Sequence, residues 1–368
     1  LGATLTSGYS KYNAGIAPES IFFSNYGKYL ELNNDGEVVI YNTNGNWIDN
    51  RASSFSHVDG STYYIENETE LALLAYNVNN GTDYQGCTIV LNKDLDLRKS
   101  VWTPIGTKDH PFKGNFDGKG HKISFEFGSK DEYLNKQCAL FYLIENADIR
   151  NLALSGSIYS SAQNNASFVV TVKGNLNHIT NCVSNVSINS NRDGDCSNGG
   201  FVGLLNNHHT YLAFLGCAFF GELVGEKATN WGGFIGWRNY ENKKQNSVNF
   251  WNCLFAPANV SIATPNGSSS RTFCRSYDNT GATFDNSYYT TVLQKADGGK
   301  LPYKITAGEG VTVAFDGSYS NYNVSGIIIH DVGFKYKNVL YAGSGDKVNL
   351  KLSGSPTGYY HASTGVLP

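Results

Sequence analysis

Short apolar segments recur along the middle of this chain, each bounded by Gly, Asn or Ser. They are too short for helices and carry no apolar residues at helical spacing, so the pattern predicts strands. One segment type is a Gly-Phe-Val-Gly phrase, which also occurs in degraded forms. Its phenylalanine falls at Phe141, Phe168, Phe201, Phe234 and Phe273, in steps of 27, 33, 33 and 39 residues. A repeat of this length is typical of solenoid proteins.

A second phrase, Ile-x-Asn-Cys and its variants, follows the first in each repeat. It ends at Leu152, Cys182, Cys217, Cys253 and Ser287. Strands that repeat in this way can stack coil upon coil, with equivalent residues about 4.8 Å apart. The pattern predicts two interior ladders, one of phenylalanine and one mostly of cysteine. We interpret the fold as all-β, a right-handed parallel β-helix.

One segment, residues 66–81, has the apolar spacing of an α-helix, with Leu71 and Leu74 among its apolar positions. Thr69 is the predicted N-cap, and Gly81 is predicted to end the helix. Because this helix precedes the first predicted coil, we expect it to cap the open end of the β-helix. Exposed strand edges there would otherwise pair with other chains.

The patterns divide the chain into three parts. Residues 1–60 form a flanking β segment with one predicted hairpin, between 29–32 and 37–41. Residues 61–292 form the β-helix. Residues 293–368 are predicted to be a small antiparallel β domain. Within it, 293–300 is a polar, Gly-bearing linker, and 301–368 alternates apolar and polar positions among Gly-rich turns. We leave open whether further residues complete that domain.

Three stretches carry a family resemblance: Trp-Thr-Pro-Ile-Gly at 102–106, the run Phe-Lys-Gly-Asn-Phe-Asp-Gly-Lys-Gly-His-Lys-Ile at 112–123, and Gly-Phe-Val-Gly-Leu at 200–204. They are similar to the GLUG-motif proteins, and the resemblance covers roughly residues 62–290. It implies a β-helix in a bacterial cell-surface or secreted protein that is adhesin-like and extracellular. The family offers no agreed catalytic motif to transfer.

Composition narrows the function further. A net charge of −3 and a pI near 6.3 give no electrostatic footprint for nucleic acid or an anionic membrane. No apolar stretch is long enough to span a membrane, so we expect no membrane insertion of this fragment, and we expect a monomer. The seven cysteines lack zinc-site spacing, and buried thiols are favoured over disulfides between coils. We predict no metal and no cofactor.

Two pairs of aspartates could have a catalytic or calcium-binding role, or could simply be exposed to solvent. Asp94 and Asp96 alternate around Leu95, which puts both carboxylates on one face of a strand. Such pairs serve glycoside hydrolysis or calcium binding, but solvent-facing aspartates on a strand with inward leucines are the favoured reading. Asp193 and Asp195 suggest a calcium loop but lack the glutamate that would complete one, so a solvated loop is favoured.

The segment around Trp231 is the predicted ligand surface. It combines aromatic rings, which can stack on sugar rings, with side chains that can bind hydroxyl groups. Burial of a tryptophan in the core is the competing reading. The predicted ligand-binding residues are Trp231, Trp237, Arg238, Asn239 and Tyr240, with Glu241 as a further hydrogen-bonding group.

These observations lead to three functional hypotheses. The first is a non-catalytic, adhesin-like surface or secreted protein whose β-helix face binds glycans or host or matrix proteins. The second is a polysaccharide-active enzyme, a glycoside hydrolase or lyase, with two carboxylates about 5 to 10 Å apart in a cleft. Its carboxylates would come from Asp193, Asp195, Glu222 and Glu226. The third is a spacer domain of a larger surface protein.

Overall fold

The fold is a right-handed parallel β-helix with one described α-helix, which confirms the predicted fold class. Its sheets stack as a solenoid of about four turns. The computed structural model describes residues 20–23, 28–32, 38–42, 45–206, 209–238, 246–251, 253–255, 257–263, 270–271, 273–276, 282–285, 287–289, 334–336, 339–341, 348–351 and 359–362.

Three parallel sheets form the sides of the solenoid, and we call them faces A, B and C in the order in which each coil visits them. Face A consists of Phe141–Glu145, Val169–Lys173, Val202–Leu205, Ile235–Arg238 and Cys274–Ser276. Face B consists of the parallel strands Thr62–Ile65, Thr88–Leu91, Asn115–Asp117, Asp148–Arg150, Asn177–Thr180, Tyr211–Leu215, Ser247–Trp251 and Ala282–Asp285, and of His57–Asp59, which pairs antiparallel with Thr62–Ile65 at the first edge. Face C consists of Leu95–Asp96, Lys122–Phe127, Ala153–Tyr159, Val183–Asn189, Ala218–Phe219, Glu222–Gly225, Leu254–Phe255, Asn259–Ile262 and Tyr288–Tyr289.

The remaining strands lie outside these faces. An antiparallel sheet joins Ser20–Phe23, Lys28–Leu32 and Val38–Asn42, which confirms the predicted hairpin, although its turn lies outside the described residues. A short parallel pair joins Gly194–Asp195 to Ala228–Thr229. Near the C-terminus, Phe334–Tyr336 pairs with Val339–Tyr341 and Val348–Lys351 pairs with Tyr359–Ala362, both antiparallel. The predicted linker at 293–300 lies outside the described residues.

The phenylalanine ladder is confirmed from Phe168 onward. The ring centroids of Phe168, Phe201, Phe234 and Phe273 stack at successive distances of 4.9, 4.7 and 5.2 Å. The prediction for Phe141 is wrong by one residue, because Phe141 is in register with Val169. Phe141 is nevertheless buried, and its ring packs against Phe112 and Phe116.

The second ladder is confirmed in full. Its five members are all completely buried: Leu152, Cys182, Cys217, Cys253 and Ser287. Asn or Gly precedes each one in the sequence, and the three of these positions that the structure describes lie in the left-handed region, with φ of +54° at Asn151, +51° at Asn181 and +64° at Gly216. All seven cysteines are free thiols, and burial raises the pKa of Cys138 and Cys196 to about 12.

The α-helix, α1, spans Glu68–Asn79. Its N-cap is Asn67 rather than the predicted Thr69, because the Asn67 side chain accepts hydrogen bonds from both the Glu70 N–H and the Thr69 hydroxyl. Gly81 follows the helix with φ of +104°, as predicted for a helix end.

Helix α1 caps the first edge of face A. Ile105 forms a parallel bridge to Phe141 of the first face A strand. Asn79 of α1 hydrogen-bonds to both neighbours of Ile105, accepting from the Gly106 N–H and donating to the Pro104 carbonyl. The apolar side of α1, with Leu71 and Leu74, lies in the core, so the helix closes the end of this stack. In the part of the chain that the structure describes, no helix is long and apolar enough to cross a membrane.

Candidate functional site

Of the predicted ligand residues, the structure describes Trp231, Trp237 and Arg238, and it does not bring these three together on an open surface. Trp231 and Arg238 are completely buried, so the expectation that they contact a ligand is wrong for these two side chains. Trp237 is half-buried. Asn239, Tyr240 and Glu241 lie outside the described residues.

Trp231 is buried because it occupies a corner position that asparagine holds in earlier coils. Asn165, Asn198 and Trp231 follow one another at steps of 33 residues. The Asn165 side chain donates 2.8 Å to the carbonyl of Ala162, three residues earlier. The Trp231 indole N–H donates 3.0 Å to the carbonyl of Ala228, also three residues earlier. Trp231 thus replaces a structural asparagine while keeping its donor role.

Arg238 is buried because it continues an inward row of face A. In register with it are Ile144, Val172 and Leu205, which are all completely buried. The Arg238 guanidinium donates a 2.5 Å hydrogen bond to the carbonyl of Asn246. This side chain therefore binds the backbone of its own coil inside the solenoid.

Trp237 faces outward, but an arginine covers its ring. The Arg275 guanidinium lies 4.2 Å from the ring centroid, a cation–π contact. Arg275 also donates 2.7 Å to the Ser197 hydroxyl and lies 3.6 Å from Asp195. This face of the indole is consequently engaged within the protein.

The carboxylates of the enzyme hypothesis bind different partners. Asp195 accepts from the Ser197 hydroxyl at 2.9 Å, and Glu222 accepts from the Ser187 hydroxyl at 3.0 Å. Neither contact joins two carboxylates. Among the residues that the structure describes, no three His, Cys, Asp or Glu side chains converge as a metal site would require.

Asp94 and Asp96 face solvent, as the favoured interpretation of this pair predicted. Leu95 is buried, whereas the side chains of Asp94 and Asp96 are 62% and 39% exposed. Asp96 forms an ion pair with Arg98, and the hydrogen bond from the Arg98 side chain lowers the pKa of Asp96.

The outer surface of face B carries aromatic and hydrogen-bonding side chains, the combination that the sequence predicted for the segment around Trp231. Side chains alternate in direction along its strands: Ile179, Phe214 and Phe250 point into the core, and their sequence neighbours point outward, although the small side chain of Ala213 is itself buried. Outward residues of four neighbouring strands, Asp148–Arg150, Asn177–Thr180, Tyr211–Leu215 and Ser247–Trp251, form what we call the face B surface. It comprises Asp148, Arg150, His178, Thr180, Tyr211, Leu215, Asn249 and Trp251.

A polar chain runs across the aromatic half of the face B surface. The Asn249 amide donates 2.9 Å to the Tyr211 hydroxyl and accepts 2.5 Å from the Thr283 hydroxyl. Trp251 lies in register with Leu215 on the adjacent strand. Tyr211 and Trp251 are both half-buried, so part of each ring is packed against the protein and part is exposed to solvent.

Asp148 and His178 form a pair on adjacent coils next to Tyr211. Their side chains meet at 2.6 Å between Oδ1 and Nδ1, and the Tyr211 ring lies edge-on to the imidazole at 6.4 Å between centroids. The hydrogen bond with Asp148 raises the pKa of His178. The pair fixes the orientation of the imidazole on this surface.

Asp117 and Arg150 form the lower boundary of the same surface. The Arg150 Nε donates 3.0 Å to Asp117, which also accepts from the Lys119 N–H and the Asn151 amide. Burial by itself would raise the pKa of Asp117, but these hydrogen bonds outweigh it and the pKa lies below its ordinary value. Asp117 is therefore held as an anion that neutralises Arg150.

The sequence contained one signal for this surface. The strand Ser247–Trp251 alternates inward apolar and outward residues with period two, whereas Tyr211–Leu215 is apolar throughout and gives no such pattern. Which outward residues become neighbours depends on the register between coils of unequal length, and that register came only from the structure.

Comparisons with known proteins were made with the sequence and with the structure. No family model matches the chain, and no curated protein matches its sequence. A crystal structure of a proposed immunoglobulin A1 protease from Bacteroides ovatus is similar, with a TM-score of 0.42 and 14% identity. The similarity covers 80% of this chain and 82% of that one.

Proposed function

We propose that this chain is a non-catalytic, glycan-binding β-helix of a bacterial surface or secreted protein, and that the face B surface is its binding site. The observation that carries the proposal is the open, flat combination of Tyr211, Trp251, Asn249 and His178. Partly exposed rings can stack on sugar rings, and fixed amide, imidazole and hydroxyl groups can bind hydroxyls.

The regular backbone supports this role. Neighbouring face B strands are hydrogen-bonded to one another, with Ile179, Phe214 and Phe250 in register. The side chains of these three residues fill the core beneath the sheet. The outward side chains are therefore fixed on a rigid sheet, which lowers the entropy lost on binding. A surface extended over several coils suits a chain-like ligand better than a small molecule.

The sequence resemblance to GLUG-motif proteins supports the extracellular and adhesin-like setting. The enzyme alternative requires two carboxylates about 5 to 10 Å apart in a cleft, and release of reducing ends in the binding experiment tests it. A protein partner in the host or matrix is an outcome that the binding experiment distinguishes.

The test is to measure retention of the purified chain on a panel of host and plant polysaccharides, together with release of reducing ends. We expect retention without release. Trp251→Ala and Tyr211→Ala should each weaken binding about tenfold or more, since aromatic anchors dominate such interfaces. Circular dichroism and thermal melting check that both variants fold.

Trp237→Ala is the matched control because it removes an outward tryptophan from face A. It should leave binding unchanged. Loss of binding in Trp237→Ala but not in Trp251→Ala would return the site to the segment that the sequence indicated. Release of reducing ends would establish an enzyme instead, and retention on a glycan-free protein surface alone would establish a protein partner.

A further inference from the structure

We infer that the glycan bound by the face B surface is uncharged, a neutral polysaccharide rather than a uronate-containing or sulfated one. This inference rests on the proposed function and adds the chemical class of the ligand. Its basis is the way in which charges are distributed and paired on this surface.

Both cations of the surface already have a carboxylate partner in the preceding coil. His178 is in register with Asp148, and their side chains meet at 2.6 Å. Arg150 is in register with Asp117, and its Nε lies 3.0 Å from that carboxylate. Each cation is thus neutralised by the residue directly beneath it in the ladder.

Lys113, at the corner between faces A and B, is also paired with carboxylates. Lys113 lies 3.4 Å from Asp83 and 3.8 Å from Glu145. Lys119 also lies 3.9 Å from Asp117, so that carboxylate faces both Lys119 and Arg150. Each of these basic side chains therefore has a carboxylate within 4 Å.

The two strands that carry the aromatic rings contain no formal charge, and the next face B strand adds only an acidic residue, Asp285, in register with Trp251. The strands Tyr211–Leu215 and Ser247–Trp251 contain no Asp, Glu, Lys or Arg. They present a phenol, an indole, an amide and a hydroxyl, which suit the apolar faces and hydroxyl groups of a neutral sugar.

An anionic sugar would gain little on such a surface. Its carboxylate or sulfate would lose water without finding an unpaired cation, or it would have to compete with Asp148 and Asp117 for their partners. A neutral sugar incurs neither cost. The arrangement of charges therefore selects for uncharged chains.

The experiment compares neutral polysaccharides (glucans, xylans and mannans) with acidic ones (polygalacturonate, alginate and chondroitin sulfate) by affinity electrophoresis of the whole chain. We expect retention by at least one neutral polysaccharide that is insensitive to salt and is lost in Trp251→Ala. Retention only by acidic chains, abolished by salt and by Trp251→Ala, would overturn the inference while keeping the proposed function. No retention by any polysaccharide would overturn the proposed function itself.

Asp148→Asn tests the cause. It removes the carboxylate that pairs with His178, so at about pH 5.5 the cationic imidazole should gain at least a twofold retention of acidic chains. Asp59→Asn, at an exposed aspartate on the first face B strand, is the matched control and should show no gain. If Asp148→Asn behaves like this control, pairing is not what excludes anions and the charge argument fails.

Discussion

Arg275 donates a 2.7 Å hydrogen bond to the hydroxyl of Ser197, although 78 residues separate them along the chain. Ser197 precedes the face A strand Val202–Leu205, and Arg275 lies two strands further along that face. The arginine reaches across the intervening strand by stacking on Trp237. One side chain therefore ties together two coils that are not neighbours.

Removal of this tie should destabilise the last coils. Arg275 is 8% exposed, so Arg275→Ala leaves a buried hydroxyl and an aspartate without their cation. We expect a loss of about 2 kcal/mol in the free energy of unfolding, the usual size for a buried hydrogen bond to a charged group. Urea denaturation measures it.

Arg98→Ala is the control for that measurement. Arg98 also pairs with an aspartate, but its side chain is 51% exposed. Its loss should cost well under about 1 kcal/mol. Equal losses in the two variants would show that the Arg275 contacts do not stabilise the fold.

Trp231 should behave as a structural residue and not as a ligand contact. Trp231→Ala removes a completely buried indole, so we expect a loss of about 3 to 5 kcal/mol in unfolding free energy. Trp231→Phe keeps most of the volume but leaves the Ala228 carbonyl without the indole donor, which should cost about 1 to 3 kcal/mol. Denaturation midpoints of both variants, measured beside polysaccharide retention, check this.

The contrasting result is simple to recognise. If Trp231→Phe retained full stability but lost polysaccharide binding, Trp231 would contact the ligand and the corner position would not explain its burial.

The sequence was most informative where a local rule sets the structure. The Asn-Cys phrase predicted its ladder because a left-handed turn favours Asn or Gly, and the residue after it must point inward. The phenylalanine phrase was less reliable at its degraded first copy. There Leu140 and Phe141 are both apolar, and only the backbone bond from the Leu140 N–H to the Ser167 carbonyl shows which of them is in register with Phe168.

The site was harder to predict because the residues that form it come from different coils. Trp231 looked like a ligand residue among glycines, and the signal against it was its 33-residue step from Asn198. Tyr211 and Asn249 are 38 residues apart, and nothing local shows that their side chains meet. Such pairs require the register of coils whose connecting segments vary in length.

Close contact between adjacent coils means that some glycines cannot be replaced by a larger residue without a loss of stability. Gly156 has φ of +123°, and a Cβ there would lie 1.8 Å from the Phe125 carbonyl oxygen. Gly156→Ala should therefore cost roughly 3 kcal/mol or more, from overpacking and from the left-handed backbone together. Thermal melting would show it as a clearly lower midpoint.

Gly60 separates the two contributions. It has φ of +56°, and no atom lies within 4 Å of the place that a Cβ would occupy, so Gly60→Ala should cost only about 1 kcal/mol from the backbone. If Gly156→Ala were no worse than Gly60→Ala, the coils would be able to move apart at little cost.

The Asp148–His178 pair should make a small, pH-dependent contribution to stability. The hydrogen bond that His178 donates to Asp148 raises the pKa of His178 in the folded chain above its unfolded value of about 6.5. Protonated His178 is thus stabilised by folding, and this contribution is fully present below about pH 6.5. It is lost as the pH rises through the raised pKa of the folded state. Both side chains are more than a third exposed, so solvent screening keeps the contribution below about 1 kcal/mol.

The measurement is the free energy of unfolding of the unaltered chain and of Asp148→Asn at about pH 5.5 and about pH 8.5. The difference between the two proteins should be larger at the lower pH, because only there does the cationic imidazole lose a charged partner. His178→Asn and the double variant complete the cycle and isolate the pair from each residue's other contacts. A difference that stays constant with pH would mean that His178 does not gain its proton through Asp148, and the ordering of the imidazole on the face B surface would need another cause.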